Sequence, residues 1–240
     1  MNKLELPEKL SRKIESFVSA LKDIYSDQLV CVILYGSAAS GEFLNKRSNL
    51  NFLAVLKDTE LTTLRKAAKL VMKYPRFNPL FLTQDYISNS TDIFPIEFLD
   101  IKENYIVLEG NDILKGINID TRNLRYQCEQ ELKAKLLTLK QLYLRSAKDS
   151  EFLKELLFKA INAILHISRN VLRLKGGLAP YRKEEVLKEL NREFGIEVDN
   201  WQKVLDAKQD RIRLRREEIE GLFIDFTAVL EKLVDIVDKL

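Results

Sequence analysis

Apolar residues in the first part of the chain recur with two different spacings. A helical pattern begins after Pro7 and repeats every three or four positions, through Leu10, Ile14, Phe17, Leu21 and Ile24. Two short runs rich in β-branched residues follow, QLVCVILYG at 28–36 and NLNFLAVLK at 49–57. We expect both to form buried strands, the first ending at Gly36. The segment 61–74 has the spacing of an amphipathic helix.

Three further segments complete the first half. PLFLT at 79–83 predicts a third strand. FPIEFLDIK at 94–102 predicts a fourth, because its residues alternate between two faces, one of which carries Glu97 and the other Asp100. YIVLEGND at 105–112 is typical of a turn or an edge segment. We therefore expect residues 1–120 to form a domain with a mixed sheet.

From residue 121 the spacing becomes helical throughout. One apolar stripe consists of Leu124, Cys128, Leu132, Leu136, Leu139 and Tyr143. A second ends before Gly176 and Gly177 and consists of Leu153, Leu157, Ile161, Ile164, Ile167 and Val171. A shorter helix at 183–194 should end at Gly195, and a last helix carries Leu222, Phe226, Val229, Leu233 and Val237. Residues 121–240 are thus predicted to form an all-α helical bundle, which makes the fold class α/β (α+β).

Charge and composition narrow the kind of partner. The 240 residues carry 39 basic and 36 acidic side chains, a net charge of +3, so bulk charge does not favour nucleic acid. No apolar stretch reaches the roughly 18 residues of a membrane span, and the first residues lack a signal core. We expect a cytoplasmic protein without membrane contact. Cys31 and Cys128 each lie in an apolar pattern, which predicts buried thiols rather than a disulfide or a zinc site.

The segment LYGSAASGEFLNKRSNLNFLAVLKD, residues 34–58, carries the candidate chemistry. A strand runs into Gly36-Ser37, small residues lead to Gly41, and Ser48 introduces a strand bearing Asn49 and Asn51. The segment resembles the nucleotidyltransferase superfamily, the polymerase-beta-like fold that includes antibiotic-modifying enzymes. The pattern of that family is a strand, GSxxxG, a short variable loop and S-D-x-D on the next strand.

The resemblance implies a phosphate site and a metal site. Gly36, Ser37 and Ser48 would bind the phosphates of a nucleotide, since glycine permits close approach and the turn offers N–H groups. Two family aspartates at alternate strand positions, with a third carboxylate from a neighbouring strand, hold two Mg²⁺ ions that activate transfer to an acceptor. Glu97 matches that third carboxylate, and therefore a catalytic role, with Asp100 as the second choice.

The chain departs from the family where the metals bind. Asn49 and Asn51 stand in place of the two aspartates, and an amide oxygen brings no negative charge to a cation. The predicted metal positions Asn49, Asn51 and Glu97 are therefore degenerate. Asp58 or Glu42 could supply further oxygens in a rescued site.

Three hypotheses follow for the function. The first is a catalytically impaired nucleotidyltransferase-like protein that serves as a nucleotide-binding or protein-interaction module. The second is an active Mg²⁺-dependent nucleotidyltransferase that moves an NMP from an NTP to a small-molecule or protein acceptor. The third is a structural, oligomeric scaffold without a ligand in its cleft.

Two other polar features have simpler explanations. His166 lies on a helical face with Arg169 and Arg173, which could line a cleft but is more often solvated. The bundle also resembles helical domains paired with minimal nucleotidyltransferases in toxin–antitoxin systems, but no arginine closely precedes His166, which disfavours ribonuclease activity. The basic run RIRLRR at 211–216 could bind phosphate, or could pair with the glutamates that follow it.

Overall fold

A computed structural model of the protein describes residues 6–39, 49–146, 149–177 and 179–240. The chain forms two compact units, residues 1–120 and residues 121–240. None of the helices within the described ranges is long and apolar enough to cross a membrane.

The first unit contains a mixed sheet, as predicted. Its four strands are β1 (Leu29–Tyr35), β2 (Leu50–Leu56), β3 (Phe77–Thr83) and β4 (Tyr105–Gly110). They lie in the order β3-β2-β1-β4, with β2 parallel to β3 and the other two pairs antiparallel. The predicted strands at 28–36, 49–57 and 79–83 are confirmed, and the edge segment at 105–112 contains the strand β4.

Helices cover both faces of this sheet. They are α1 (Glu8–Tyr25), α2 (Leu61–Arg65), α3 (Ala68–Lys73), α4 (Gln84–Asn89) and α5 (Pro95–Glu103). The single helix predicted at 61–74 is thus two short helices. On one face, Phe17 of α1 packs against Phe52 and Phe77, with ring centroids 5.0 and 5.1 Å apart. This aromatic contact fixes α1 over β2 and β3.

The strand predicted at 94–102 is wrong, because these residues form the helix α5. Pro95 occupies its first turn, where the missing N–H costs nothing and the fixed φ favours a helix. Phe98 and Ile101 lie one turn apart and pack on the second face of the sheet, against the side of β1 and β2 that carries Ile33 and Leu53. The alternation seen in the sequence was therefore a helical pattern over a short window.

The second unit is helical, as predicted. Its helices are α6 (Leu124–Ser146), α7 (Ser150–Leu174), α8 (Lys183–Phe194), α9 (Asp199–Lys208) and α10 (Ile219–Val237). Gly195 ends α8 with a left-handed φ of 64°. The sequence pattern missed α9, which places Trp201 in the core, where its Nε1 donates to the carbonyl oxygen of Phe226 at 3.1 Å. Cys31 and Cys128 are buried and neither forms a disulfide, as predicted.

Candidate functional site

The glycine turn that follows β1 forms one side of the candidate site. Gly36 has a φ of 77°, a left-handed conformation that favours glycine. Its N–H donates to the carbonyl oxygen of Asn104 at 3.3 Å, and the turn Gly36–Ala38 is closed by the N–H of Ala39. This places Ser37, half-buried, at the end of the sheet where β1 finishes. Ser48 and Glu42 lie outside the described residues.

Asn49 and Asn51 lie at the same end of the sheet, where β2 begins. Asn49 is exposed just before the strand, and Asn51 is half-buried at its second position. Alternation along β2 places Asn51 on the same face as Leu53, which belongs to the apolar cluster beneath α5. The two asparagines therefore stand at the sheet end that carries the glycine turn.

A third asparagine, which the sequence analysis missed, faces Asn51 from the neighbouring strand. Asn78 on β3 is the register partner of Asn51, and its Nδ2 donates to Oδ1 of Asn51 at 3.4 Å. The predicted strand begins at Pro79, two residues after the start of β3 at Phe77, so Asn78 falls outside it. An exposed Asn78 at the start of a strand parallel to β2 completes a cluster of three amide side chains.

Two tyrosines extend this row across the sheet. Asn51 pairs in register with Tyr35 of β1, which in turn pairs with Tyr105 of β4. The Tyr105 hydroxyl lies 3.0 Å from both carboxylate oxygens of Asp112, and burial and then this contact raise the pKa of Tyr105. Burial also raises the pKa of Tyr35. Both phenols are therefore protonated near neutral pH and can donate hydrogen bonds.

The carboxylates proposed as metal ligands lie on other elements. Glu97 is exposed in the first turn of α5, so the strand geometry that suggested it is absent, and its ligand role remains a prediction without that support. Asp100 lies on the same helix. Asp58 lies two residues beyond Leu56, the last residue of β2. At about 3.3 Å per residue, Leu56 is itself about 16 Å from Asn51 along the strand. Among the described residues, no group of three or more His, Cys, Asp or Glu side chains could hold a metal ion.

The amide cluster differs from a carboxylate cluster in its hydrogen-bonding character. A carboxylate only accepts hydrogen bonds, whereas an amide also carries two N–H donors. The oxygen of Asn51 already accepts a hydrogen bond from Asn78, so it offers less to a cation than an unpaired oxygen would. The site thus presents donors and no formal charge where the family pattern places aspartates.

The two polar features of the second unit are tied into the bundle. His166 is exposed on α7, but Arg169 on the same helix is only 4% exposed. Its Nε donates to the carbonyl oxygen of Ala179 at 3.2 Å, and its guanidinium lies 4.7 Å from the ring centre of Tyr181. The expectation of a solvated face is therefore wrong at Arg169, which is part of the bundle interior.

The basic run at 211–216 pairs within the chain. Arg211 contacts Glu184 and Asp206 at 2.9 Å each, and Arg215 lies 3.9 Å from Glu217 and from Glu218. The Arg211 contacts reach α8 and α9, so part of this pairing is with helices outside the run. The phosphate-patch hypothesis gains no support from these pairs.

The mixed sheet, the glycine turn at the end of β1, the polar start of β2 and the helical second unit together define the nucleotidyltransferase fold. The chain is similar over most of its length to a solved structure of spectinomycin adenyltransferase AAD(9) from Enterococcus faecialis with ATP and spectinomycin. The sequences are 11% identical, the match covers 94% of this chain and 100% of that chain, and the TM-score is 0.60. No family model matches the chain, and no curated protein does. At this identity the similarity shows the fold alone.

Proposed function

We propose that this protein is a nucleotide-binding module with the nucleotidyltransferase fold that does not carry out efficient nucleotidyl transfer. The observation that carries the proposal is the side-chain pair between Asn51 and Asn78, with Asn49 just before β2, two residues from Asn51. These amides replace negative charge at the sheet end where the glycine turn could approach a phosphate.

The electrostatics favour loss of metal-assisted chemistry. Two Mg²⁺ ions would bring four positive charges, and hard cations of this kind are held chiefly by carboxylates. The three asparagines contribute none of the required negative charge. Without the metals, charge developing on the transferred phosphoryl group loses the divalent counter-ions of the family mechanism, and the chemical step loses its main stabilisation.

An active transferase remains the second hypothesis, supported only by the fold. Such an enzyme would use Mg²⁺ and an NTP, with ligands that include Glu97, and would modify a small-molecule or protein acceptor. It predicts nucleotide turnover that depends on Mg²⁺ and falls on Glu97→Ala. The cytoplasmic location also stays a prediction from the sequence.

A protein-interaction role has its own observation in the second unit. A cavity of about 330 Å³ opens between α6 and α10, with Leu144 82% exposed and Ile224 52% exposed at its rim. Its lining residues are Lys140, Tyr143, Leu144, Phe223, Ile224 and Thr227. Exposed apolar surface of this kind often marks a contact with a partner or a second copy of the chain. Sedimentation of the wild type against Leu144→Glu would detect self-association through it.

Calorimetric titration with ATP, GTP, CTP and UTP, with and without Mg²⁺, tests the proposal. We expect binding of at least one nucleotide without release of pyrophosphate on prolonged incubation with Mg²⁺. No heat at protein concentrations that detect a Kd of about 1 mM would refute nucleotide binding. Rapid Mg²⁺-dependent turnover would establish the transferase hypothesis instead.

A charge-restoring variant tests the same site by gain of function. Asn49→Asp, Asn51→Asp and Asn78→Asp together should create a site for Mn²⁺ or Mg²⁺ that the wild type lacks, because the three residues lie at one end of the sheet, with Asn51 and Asn78 on one face. Mn²⁺ binding is measured by electron paramagnetic resonance. Asn89→Asp, exposed at the end of α4, adds charge elsewhere and serves as the control. Equal Mn²⁺ binding in the triple variant and the control would contradict the placement of the site.

A further inference from the structure

An arginine lies beside the three asparagines. Arg76 is exposed and immediately precedes β3, two residues before Asn78. Its carbonyl oxygen accepts the N–H of Leu50 at 2.9 Å, and Leu50 lies between Asn49 and Asn51. A turn from Tyr74 to Phe77 presents Arg76 at its third position. The backbone therefore anchors Arg76, and with it a positive charge, at the sheet end that carries the amide cluster.

The combination reverses the preference expected of the family site. Aspartates at these positions would attract cations, whereas Asn49, Asn51 and Asn78 offer N–H donors and Arg76 offers a positive charge. The Asn51 oxygen is engaged by Asn78, which leaves the amide nitrogen of Asn51 as the group able to reach a ligand. Donors with a nearby cation suit a phosphate oxygen.

We propose that Arg76 and the three asparagines bind the phosphate groups of a nucleotide directly, in the absence of a metal ion. This inference rests on the proposed nucleotide-binding function and specifies the form of the ligand. The arginine takes the place of the metal as the positive charge that holds the phosphates. The glycine turn at Gly36 lies at the same end of the sheet and allows a phosphate to approach the backbone.

The chemistry of the guanidinium fits this role. Its five N–H donors allow it to hold an intramolecular neighbour and an anion together. A lysine would keep the charge but lose the planar, two-point contact with phosphate oxygens. The ligand that fits best is the metal-free nucleotide, because bound Mg²⁺ neutralises the phosphates and occupies the same oxygens.

The test is titration of the full-length protein with ADP and with inorganic tripolyphosphate, each in EDTA and in excess Mg²⁺. We expect tighter binding in EDTA for both ligands. Arg76→Gln should weaken binding in EDTA by about tenfold or more, as expected for loss of a charge-assisted contact. Arg76→Lys should give an intermediate affinity, and added salt should reduce binding by the wild type more than by Arg76→Gln.

Arg65→Gln is the matched control, since Arg65 is exposed at the end of α2, which follows the opposite end of β2. It removes the same charge and should leave affinity unchanged. Circular dichroism of each variant verifies that the fold is retained. Equal affinities of Arg76→Gln and the wild type, or binding that requires Mg²⁺, would overturn the inference.

The outcomes separate this inference from the proposed function. Nucleotide binding that needs Mg²⁺ or ignores Arg76 leaves a nucleotide-binding protein and removes only the metal-free mode. Tripolyphosphate binding that depends on Arg76, without any nucleotide binding, refutes the proposed function while retaining the anion site. Absence of heat with every ligand refutes both.

Discussion

The pairing of Asn51 with Asn78 makes a quantitative prediction when both residues become aspartate. The amide atoms lie 3.4 Å apart, and two carboxylates could relax to about 5 Å without leaving their strands. Two unit charges at that distance repel by about 1–3 kcal/mol for effective dielectric constants between about 80 and 20. Because Asn78 is exposed and Asn51 half-buried, the value should lie near the lower end, about 1 kcal/mol at low salt.

The stability of the double variant should depend on pH, because its two carboxyl groups lie close together. Repulsion should raise the pKa of one carboxyl in the folded double variant above its unfolded value. Below the unfolded pKa the penalty is absent; it develops as the pH rises from there and is complete above the raised folded pKa. The double variant should therefore lose stability relative to the single variants between acidic and neutral pH. Mn²⁺ should remove the loss at neutral pH by binding both carboxylates.

The assay is a double-mutant cycle of Asn51→Asp and Asn78→Asp, unfolded in urea at acidic and neutral pH. Far-UV circular dichroism follows the whole chain, while the fluorescence of Trp201, the only tryptophan, reports the second unit. We expect a coupling energy of about 1 kcal/mol at neutral pH that disappears with acid or Mn²⁺. A coupling energy under about 0.3 kcal/mol at neutral pH and low salt would refute the side-chain pairing.

Four further variants test other parts of the fold. Trp201→Phe should destabilise the second unit by about 1–3 kcal/mol in urea unfolding, because the indole is buried and donates to a carbonyl oxygen of α10. Burial and the nearby Lys183 lower the pKa of Lys208 to about 8. The stability of the wild type should therefore rise with pH from about 8 towards 10.5. Lys208→Met should flatten this rise, measured as the melting temperature at each pH. Gly110→Ala should lower the free energy of unfolding by about 3 kcal/mol or more, because the added Cβ would lie 2.1 Å from a backbone oxygen of β1. Gly195→Ala meets open space, so it should lower the free energy of unfolding by only about 1 kcal/mol, through the strain of a left-handed alanine.

The sequence predicted the buried strands well because their apolar runs are strong. It failed at α5, where a window of nine residues fits both the strand and the helix period. Pro95 was the available signal, since proline is common in the first turn of a helix and removes a donor from a strand. The segment that became β4 has a continuous apolar run, which distinguishes a strand poorly from a buried helix.

Only part of the candidate site could be predicted from the sequence. Gly36, Ser37, Asn49 and Asn51 could be recognised because the family motif is local. Asn78 could not, because its significance depends on the register between β2 and β3, whose paired positions are separated by α2 and α3. No local pattern encodes such a cross-strand partner.

Pro79 in β3 has a consequence for the outer side of the sheet. The N–H of Leu50 donates to Arg76, and in the parallel ladder this register turns the backbone nitrogen of residue 79 away from β2, towards the open edge. An incoming strand would find no donor there, and the rigid ring would obstruct its approach. The outer edge of β3 is therefore protected against strand-to-strand aggregation, although Leu80 next to it is 41% exposed.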